Sequence, residues 1–211
     1  MTEQLHEFFK TQSNLEYFIS KLSQKSIKSI LSDLEIKVPR KSKFAIDLSN
    51  NDTLVFTDGS ALNNGKPDVR SSFSVLFNDS PHLNHTKIMT NNLSNNGAEL
   101  SAILYAVKII SENSDLFINK NIIIVSDSLY AIKCITTWSK KWIENGWVTS
   151  KGISVQNLDI IQEILKYTPK LNITFKHIFS HQKEPVNIGS IEHIMWLGND
   201  TVDKNCLQIL S

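Results

Sequence analysis

The amino-acid sequence predicts an α/β fold in which a mixed five-stranded sheet is flanked by helices, after a small helical extension at the N-terminus. Residues 53–179 contain five short β-prone runs, and helical patterns separate the last three of them. Strands joined through helices pair in parallel by right-handed crossovers, whereas strands joined by turns pair antiparallel. The order of the elements therefore predicts an antiparallel meander beside parallel strands.

The first 50 residues differ from the rest of the chain, because their apolar residues recur at helical spacing. Pro39 ends this pattern, and the polar run Ser49-Asn50-Asn51-Asp52 is typical of a linker. We therefore predict an extension over residues 1–50 and a main domain over residues 53–211. The basic cluster Lys37–Lys43 suits phosphates, and the segment is weakly similar to nucleic-acid-binding modules of the SAP type. A plain helical extension with a solvated basic linker explains the segment equally well.

The strands of the main domain differ in how far they are buried. Three short runs after the linker predict the meander: Thr53–Phe56, Phe73–Phe77 and Thr86–Thr90. Ile122–Val125 is continuously apolar, which is typical of a strand buried on both faces. Ile173–Phe179 alternates, which indicates a strand with one exposed face.

Four helical patterns accompany these strands. Gly97–Ile110 carries an apolar stripe on one side, and Leu129–Trp138 follows the fourth strand. Val155–Tyr167 is ended by Thr168-Pro169, since a residue before proline avoids helical backbone angles. A loop over 182–197 and a last helix from about Asp200 to the C-terminus complete the prediction.

Four acidic residues lie where the predicted elements converge. Asp58 and Asp127 follow two strands, Glu99 is expected in the first turn of the long helix, and Asp203 in the first turn of the last helix. In an open α/β sheet, the ends of neighbouring central strands meet at one place. Converged carboxylates repel each other unless a cation neutralises them, and oxygen ligands favour magnesium or manganese. Each acid alone is explained by a turn or a helix start, but the four together predict a metal site.

Four motifs around these acids resemble those of the type 1 ribonuclease H family. They are Phe56-Thr57-Asp58-Gly59-Ser60, Asn95-Asn96-Gly97-Ala98-Glu99-Leu100, Ser126-Asp127-Ser128-Leu129-Tyr130 and Gly198-Asn199-Asp200-Thr201-Val202-Asp203. The resemblance covers about residues 53–211 and implies the ribonuclease H-like version of the predicted sheet. It also implies an endonuclease that hydrolyses the RNA strand of RNA–DNA hybrids. Asp58, Glu99, Asp127 and Asp203 would then bind two Mg²⁺ ions, or Mn²⁺ in their place.

The match to bacterial-type enzymes is closest over residues 127–159. In that family this stretch forms a basic protrusion, a helix and loop that grip the DNA strand of the hybrid. Lys140 and Lys141 are expected to neutralise phosphates, while Trp138 and Trp142 offer flat faces for sugars. The tryptophans would also serve to build a small core. Glu144 dilutes the positive charge of the protrusion.

Four asparagines match family positions that contact the hybrid. Asn64, Asn95 and Asn96 correspond to contacts near the scissile bond, and Asn157 to a phosphate contact for the DNA strand. Side-chain amides donate and accept hydrogen bonds, so they suit the 2′-hydroxyl that distinguishes RNA from DNA. The chain is rich in asparagine, so an ordinary loop role is the alternative.

The resemblance also implies a mobile histidine, on the loop after the last strand, that assists turnover and product release. His181 ends the predicted strand and matches by its place in the fold. The loop after it is longer than usual, and His193 lies closer in sequence to Asp203. We predict that His181 has this role and that His193 is its rival.

Other functions are compatible with parts of this pattern. A transposase or integrase of the same fold class carries a late glutamate, whereas the last acid here is Asp203. An exonuclease of the DEDD type begins with Asp-x-Glu, whereas Asp58 precedes Gly59-Ser60. A non-catalytic hybrid-binding module would not need all the acids.

The remaining expectations concern the surroundings of the protein. No apolar run is long enough to span a bilayer, and the N-terminus has no secretory pattern. With two cysteines only, a reducing compartment is the default. We therefore expect an intracellular monomer, cytoplasmic or nuclear, that is not secreted and does not associate with membranes.

Overall fold

The computed structural model describes residues 48–49, 51–91 and 93–211. The helical extension predicted over residues 1–50 therefore lies, apart from residues 48 and 49, outside the described residues. The chain divides into two compact units, of which the larger comprises residues 47–186 and 193–211, and residues 187–192 belong to the smaller. In the part that the structure describes, no helix combines the length and hydrophobicity needed to cross a membrane.

Five strands form one mixed sheet in the larger unit. They are β1 (Asp52–Leu62), β2 (Arg70–Phe77), β3 (His85–Ile88), β4 (Asn121–Ser126) and β5 (Ile173–His177). The strand order is β3-β2-β1-β4-β5. β2 pairs antiparallel with both β1 and β3, whereas β4 pairs parallel with both β1 and β5. This topology confirms the meander beside parallel strands that the sequence predicts.

Helices connect these strands and cover the sheet. They are α1 (Asn95–Glu112), α2 (Leu129–Lys133), α3 (Ser139–Glu144), α4 (Leu158–Tyr167) and α5 (Ile191–Leu210). A π-helical turn, Cys134–Trp138, joins α2 to α3. The Ser94 hydroxyl caps α1 by accepting a hydrogen bond from the Gly97 N–H at 3.4 Å. α1 packs on β1, β2 and α4.

Neighbouring side chains of β1 point to opposite faces of the sheet. Val55 is fully buried and belongs to the main core with Leu100, Ile103 and other residues of α1. The ring of the neighbouring Phe56 lies instead against Gly198 of α5. Successive side chains of a strand point to opposite faces, so β1 is buried between α1 on one side and α5 on the other.

The last helix is longer than predicted. α5 begins at Ile191, nine residues before the expected start near Asp200. Gly198, which precedes the predicted start, lies inside the helix, where a Cβ atom would overlap the Phe56 ring. Asp203 is consequently in the fourth turn of α5 rather than the first, and His193 is in the first turn rather than in a loop.

Three further boundaries differ from the prediction. α1 begins two residues earlier, at Asn95, so Glu99 lies in its second turn instead of its first. α4 begins at Leu158 rather than Val155, because Asn157 before it has left-handed backbone angles (φ 54°). β5 ends at His177, so His181 lies in the loop beyond the strand.

Candidate metal and catalytic site

Three carboxylates converge at one level of the central strands. Asp58 lies inside β1, which continues to Leu62 instead of ending before the acid as predicted. Asp58 comes from β1, Glu99 from α1 and Asp127 from the end of β4, and one oxygen of each lies within 4.8 Å of the other two. The parallel register pairs Phe56 with Val125. Because Asp58 and Asp127 each follow these partners by two residues, the register places both at the same level of the sheet.

Gly59 allows Glu99 to join the two aspartates. A Cβ atom on Gly59 would collide with the backbone of Ala98 and Glu99. The first turns of α1 therefore press directly on β1, which brings the Glu99 carboxylate to the two aspartates. This approach is closer than any residue with a side chain permits.

Burial and mutual repulsion raise the pKa of all three carboxyls. Burial, followed by the charges of Asp127 and Asp203, raises the pKa of Asp58 to about 7. The pKa of Glu99 is well above its ordinary value, again mainly because of burial and then because of Asp58. Burial also raises the pKa of Asp127, although a hydrogen bond from Asn199 opposes the shift. Burial and the neighbouring negative charges therefore disfavour the ionised form of each carboxyl.

A divalent cation fits this cluster. Among the described residues, Glu99 Oε2 is a buried oxygen without a hydrogen-bond partner, although it lies in a group of three acids. The donor set consists of carboxylate oxygens, which hard divalent cations prefer. A bound cation would give the unpartnered oxygen a ligand and would offset the repulsion.

The last helix adds Asp203 and Asn199 to the site. Asp203 is half-buried and stands outside the tight group of three, but its charge raises the pKa of Asp58, Glu99 and Asp127. Asn199, which is 7% exposed, donates from Nδ2 to Asp127 Oδ2 at 3.5 Å. Its Oδ1 has no hydrogen-bond partner among the described residues. Asn199 was not predicted as a site residue, although it stands in the last motif.

Polar residues of β2 hold α5 against the sheet through hydrogen bonds. The Ser72 hydroxyl donates to the Cys206 carbonyl at 2.9 Å, and Asn205 Nδ2 donates to Ser74 Oγ at 3.5 Å. Arg70 donates to the Leu210 carbonyl at the end of the helix, at 2.6 Å. These bonds fix the helix that carries Asp203, and they explain why β2 has serines on this buried face.

The histidines occupy distinct positions around Asp127. His177 Nε2 lies 3.1 Å from the Asp127 carbonyl oxygen. His181 is exposed and has a φ of 52°, and its charge lowers the pKa of Asp127. His193 Nε2 lies 3.4 Å from Glu184 Oε1. The assignment of the turnover role to His181 rather than His193 stays a prediction, and His177 is a neighbour of Asp127 that the prediction did not include among the site residues.

The predicted asparagine contacts lie around the start of α1, the helix that carries Glu99. Asn95 Oδ1 accepts from the Ala61 N–H at 2.9 Å, and Asn64 Oδ1 accepts from the Asn95 N–H at 3.3 Å. The turn after β1 is therefore tied to the start of α1. Asn96 is exposed in the first turn of α1, and Asn157 lies against Gly97.

The predicted protrusion is an aromatic helix with a groove beside it. The rings of Trp138 and Trp142 lie 5.8 Å apart, and Lys133 Nζ is 5.9 Å from the Trp138 ring centre. A groove of about 610 Å³ is lined by both tryptophans together with Lys141 and residues 148–151. Lys140 is exposed on α3. The tryptophans therefore pack on the core and border an open groove at the same time.

Comparison with known proteins identifies similar chains. The family model described as RNase H matches residues 50–206. A ribonuclease H of Schizosaccharomyces pombe is 30% identical over 177 residues, covering 83% of this chain and 56% of that protein. A ribonuclease H of Shewanella sp. (strain ANA-3) is 31% identical over 136 residues, covering 63% of this chain and 78% of that protein. Ribonuclease H1 of Rattus norvegicus is 31% identical, and the match covers 66% of this chain and 48% of that protein.

Solved structures share the fold at lower identity. A foamy viral protease–reverse transcriptase in complex with dsDNA matches with a TM-score of 0.56 and 22% identity, covering 74% of this chain and 92% of that chain. LC9-RNase H1, described as a type 1 RNase H with the type 2 active-site motif, matches with a TM-score of 0.53 and 16% identity. The match covers 77% of this chain and 74% of that chain. The chain spans about half the length of several curated relatives that it matches.

Proposed function

The chain belongs to the ribonuclease H family, and from this premise we propose that it is an endonuclease that hydrolyses the RNA strand of RNA–DNA hybrids. The observation that carries the proposal is the convergence of Asp58, Glu99 and Asp127 around an unpartnered carboxylate oxygen. A foamy viral protease–reverse transcriptase of the same fold has been solved in complex with an RNA/DNA hybrid, which supports a hybrid as the substrate.

We propose that Asp58, Glu99, Asp127 and Asp203 bind two Mg²⁺ ions, with Mn²⁺ as a substitute. When bound, such a pair supplies charge that activates an attacking water and stabilises the leaving oxygen of a phosphodiester. The protein contributes the fixed positions of the carboxylates, which the register of β1 and β4 and the contact at Gly59 determine. Asn199 holds Asp127 Oδ2 and so restricts the rotation of that carboxylate.

His181 is proposed to assist turnover. Its side chain is exposed in the loop beyond β5, and its charge acts on Asp127. An exposed imidazole beside the site can exchange a proton with the leaving group or with solvent near neutral pH. The same exposure leaves it free to follow the product as the product departs.

Substrate contacts are proposed on both sides of the acids. Asn95 and Asn96 lie at the start of α1, and Asn64 bonds to Asn95 from the turn after β1, so all three suit the 2′-hydroxyls of the RNA strand. Trp138, Lys140, Lys141, Trp142 and Asn157 would contact the DNA strand. We propose a monomer as the active form.

A cleavage assay tests the proposal directly. Labelled hybrid, duplex DNA and duplex RNA of one sequence are incubated side by side with Mg²⁺ and with EDTA. We expect cleavage of the RNA strand of the hybrid only, and only with Mg²⁺. Asp127→Asn should abolish hydrolysis but keep hybrid binding, since an amide cannot replace a carboxylate that holds the ions.

The matched control is Asp115→Asn, because Asp115 is an exposed acid in the turn after α1. It should cleave at the parent rate. Binding of the hybrid by the parent without any cleavage would instead identify a non-catalytic binding module. Cleavage by Asp127→Asn at the parent rate would remove Asp127 from the site.

A further inference from the structure

The backbone at His181 is held in an unfavourable conformation. Its φ of 52° lies in the left-handed region, which a residue with a side chain seldom adopts. Such a conformation costs free energy and persists only where neighbouring contacts hold it in place. The residues on both sides of His181 are the place to look for those contacts.

Two hydrogen bonds restrain these flanking residues. The Gln182 carbonyl accepts a hydrogen bond from the indole N–H of Trp196 at 2.9 Å. The Gln182 side chain donates to the Ser180 carbonyl at 3.2 Å, which closes the backbone around His181. The first bond is the longer-range one, because it joins the loop to a residue fourteen positions later in the chain.

Trp196 stands on the same helix as the last acid. It lies three residues before Asn199 and seven before Asp203, so all three lie on adjoining turns of one side of α5. One turn earlier, His193 approaches the same loop, with its Nε2 3.4 Å from Glu184 and its ring centre 5.8 Å from that of Trp196. The loop is thus attached to α5 at Gln182 and Glu184.

We propose that Trp196 is a positioning residue that holds His181 beside Asp127 through the Gln182 carbonyl. Because α5 also carries Asp203, one rigid helix sets the position of an acid and of the histidine together. The inference rests on the proposed function of His181. It assigns no contact with substrate to Trp196, and it predicts that loss of the indole N–H changes turnover rather than binding.

The test uses the full chain with Trp196→Phe, which keeps an aromatic ring and removes the donor. Multiple-turnover cleavage of hybrid should show kcat reduced about fivefold, as for the loss of one hydrogen bond, with KM within about twofold. Trp196→His keeps a ring N–H and should recover most of the loss. Leu197→Ala, at the next and exposed position of α5, should retain the parent kcat.

A double variant separates positioning from general stabilisation. If Trp196 acts through His181, Trp196→Phe should cause no further loss in a His181→Ala background. Multiplied losses in the double variant, or equal losses in folded Trp196→Phe and Trp196→His, would overturn the proposal. If Trp196→Phe fails to fold, Trp196→His is measured instead, in the parent and in the His181→Ala background. A donor role predicts that Trp196→His keeps nearly the parent kcat, and a lower kcat would overturn it.

A measurement without catalysis distinguishes this inference from the proposed function. Backbone ¹⁵N relaxation should show the His181 and Gln182 amides as ordered in the parent and as mobile on the nanosecond timescale in Trp196→Phe. Unchanged order in the variant would refute the attachment even if the enzyme were active. Absence of cleavage by the parent would refute the proposed function while leaving the relaxation result to decide on the attachment.

Discussion

A buried carboxylate beside other carboxylates is least stable when it is charged, and Asp58 shows the size of this effect. Its pKa is raised from the ordinary value of 3.8 to about 7. Since the folded state holds its proton more tightly than the unfolded state, the neutral carboxyl stabilises the fold fully below pH 3.8. That stabilisation is lost as the pH rises through about 7, and amounts to about 4 kcal/mol at most.

This sign leads to a prediction for the metal-free protein. In EDTA, the thermal midpoint of unfolding should decrease as the pH is raised from 5 to 8. Mg²⁺ should restore the midpoint at pH 8, because a cation offsets the repulsion. Asp58→Asn should remain folded in EDTA at pH 8 to a higher temperature than the parent, and it should gain little from Mg²⁺. Circular dichroism melts at both pH values measure these effects.

The exposed Asp115→Asn is the control, and its melting curves should follow those of the parent. If Asp58→Asn loses stability with rising pH as steeply as the parent, repulsion at Asp58 is not the cause.

At the scale of single residues, the sequence predicts the acids but not their partners. Asp58 and Asp127 are recognisable because each comes shortly after an apolar run, and the parallel register brings them level. Asn199 and His177 could not be recognised in this way, because their contacts with Asp127 depend on α5 and on β5. When the boundary of an element is unknown, the sequence does not show which side chain a polar residue on that element contacts.

At the scale of elements, the helix boundaries were hardest to predict. Glycine is a poor helix former, and the last helix predicted from the sequence starts only after Gly198, near Asp200. In the structure the missing side chain of Gly198 makes room for the Phe56 ring, and α5 continues through it. The π-helical turn Cys134–Trp138 was likewise predicted as ordinary helix, since periodicity alone does not distinguish one extra residue in a turn.

The protrusion formed by α2, the π-helical turn and α3 supports a prediction about binding. Lys140→Ala combined with Lys141→Ala should raise KM for the hybrid with little change in kcat, because neither lysine belongs to the acidic cluster. The logarithmic dependence of affinity on salt should become shallower by about 2, as expected for two lost phosphate contacts. Cleavage kinetics and binding titrations at several salt concentrations measure both effects.

Lys166→Ala is the matched control for charge. Lys166 is paired with Glu163 near the end of α4. After α4 the chain enters the sheet at the end opposite to the acidic cluster. It should leave both KM and the salt dependence unchanged. A fall in kcat with unaltered KM in the double lysine variant would show that α3 acts on catalysis and does not grip the substrate.

At the scale of the whole molecule, the predicted site residues come from one part of the chain. Asp58 is the first of them and Asp203 the last, and the family model begins at residue 50. The strand order follows from the alternation of strands and helices along residues 53–179, which is why the sheet could be predicted. The division at residue 50 remains a prediction, since the extension lies outside the described residues.

Removal of residues 1–47 tests this division. Residues 48 to 51 are kept because the Ser49 carbonyl accepts from the Asp52 N–H and the Asn51 carbonyl accepts from the Asn121 N–H. We expect a folded nuclease with the parent kcat. If the extension binds nucleic acid through its basic cluster, KM should rise, and more so at lower salt, where phosphate contacts contribute most. An insoluble or inactive product would show that the two parts do not fold independently.

Gly59 has a consequence for how relatives of this protein can diverge. Every replacement of glycine introduces a Cβ atom, and at this position that atom would collide with main chain that cannot rotate away. The position is therefore closed to mutation as long as Glu99 must reach Asp58. A related gene that retained all the acids but encoded another residue here would resemble a nuclease in a motif search and would encode a protein unable to assemble the metal site.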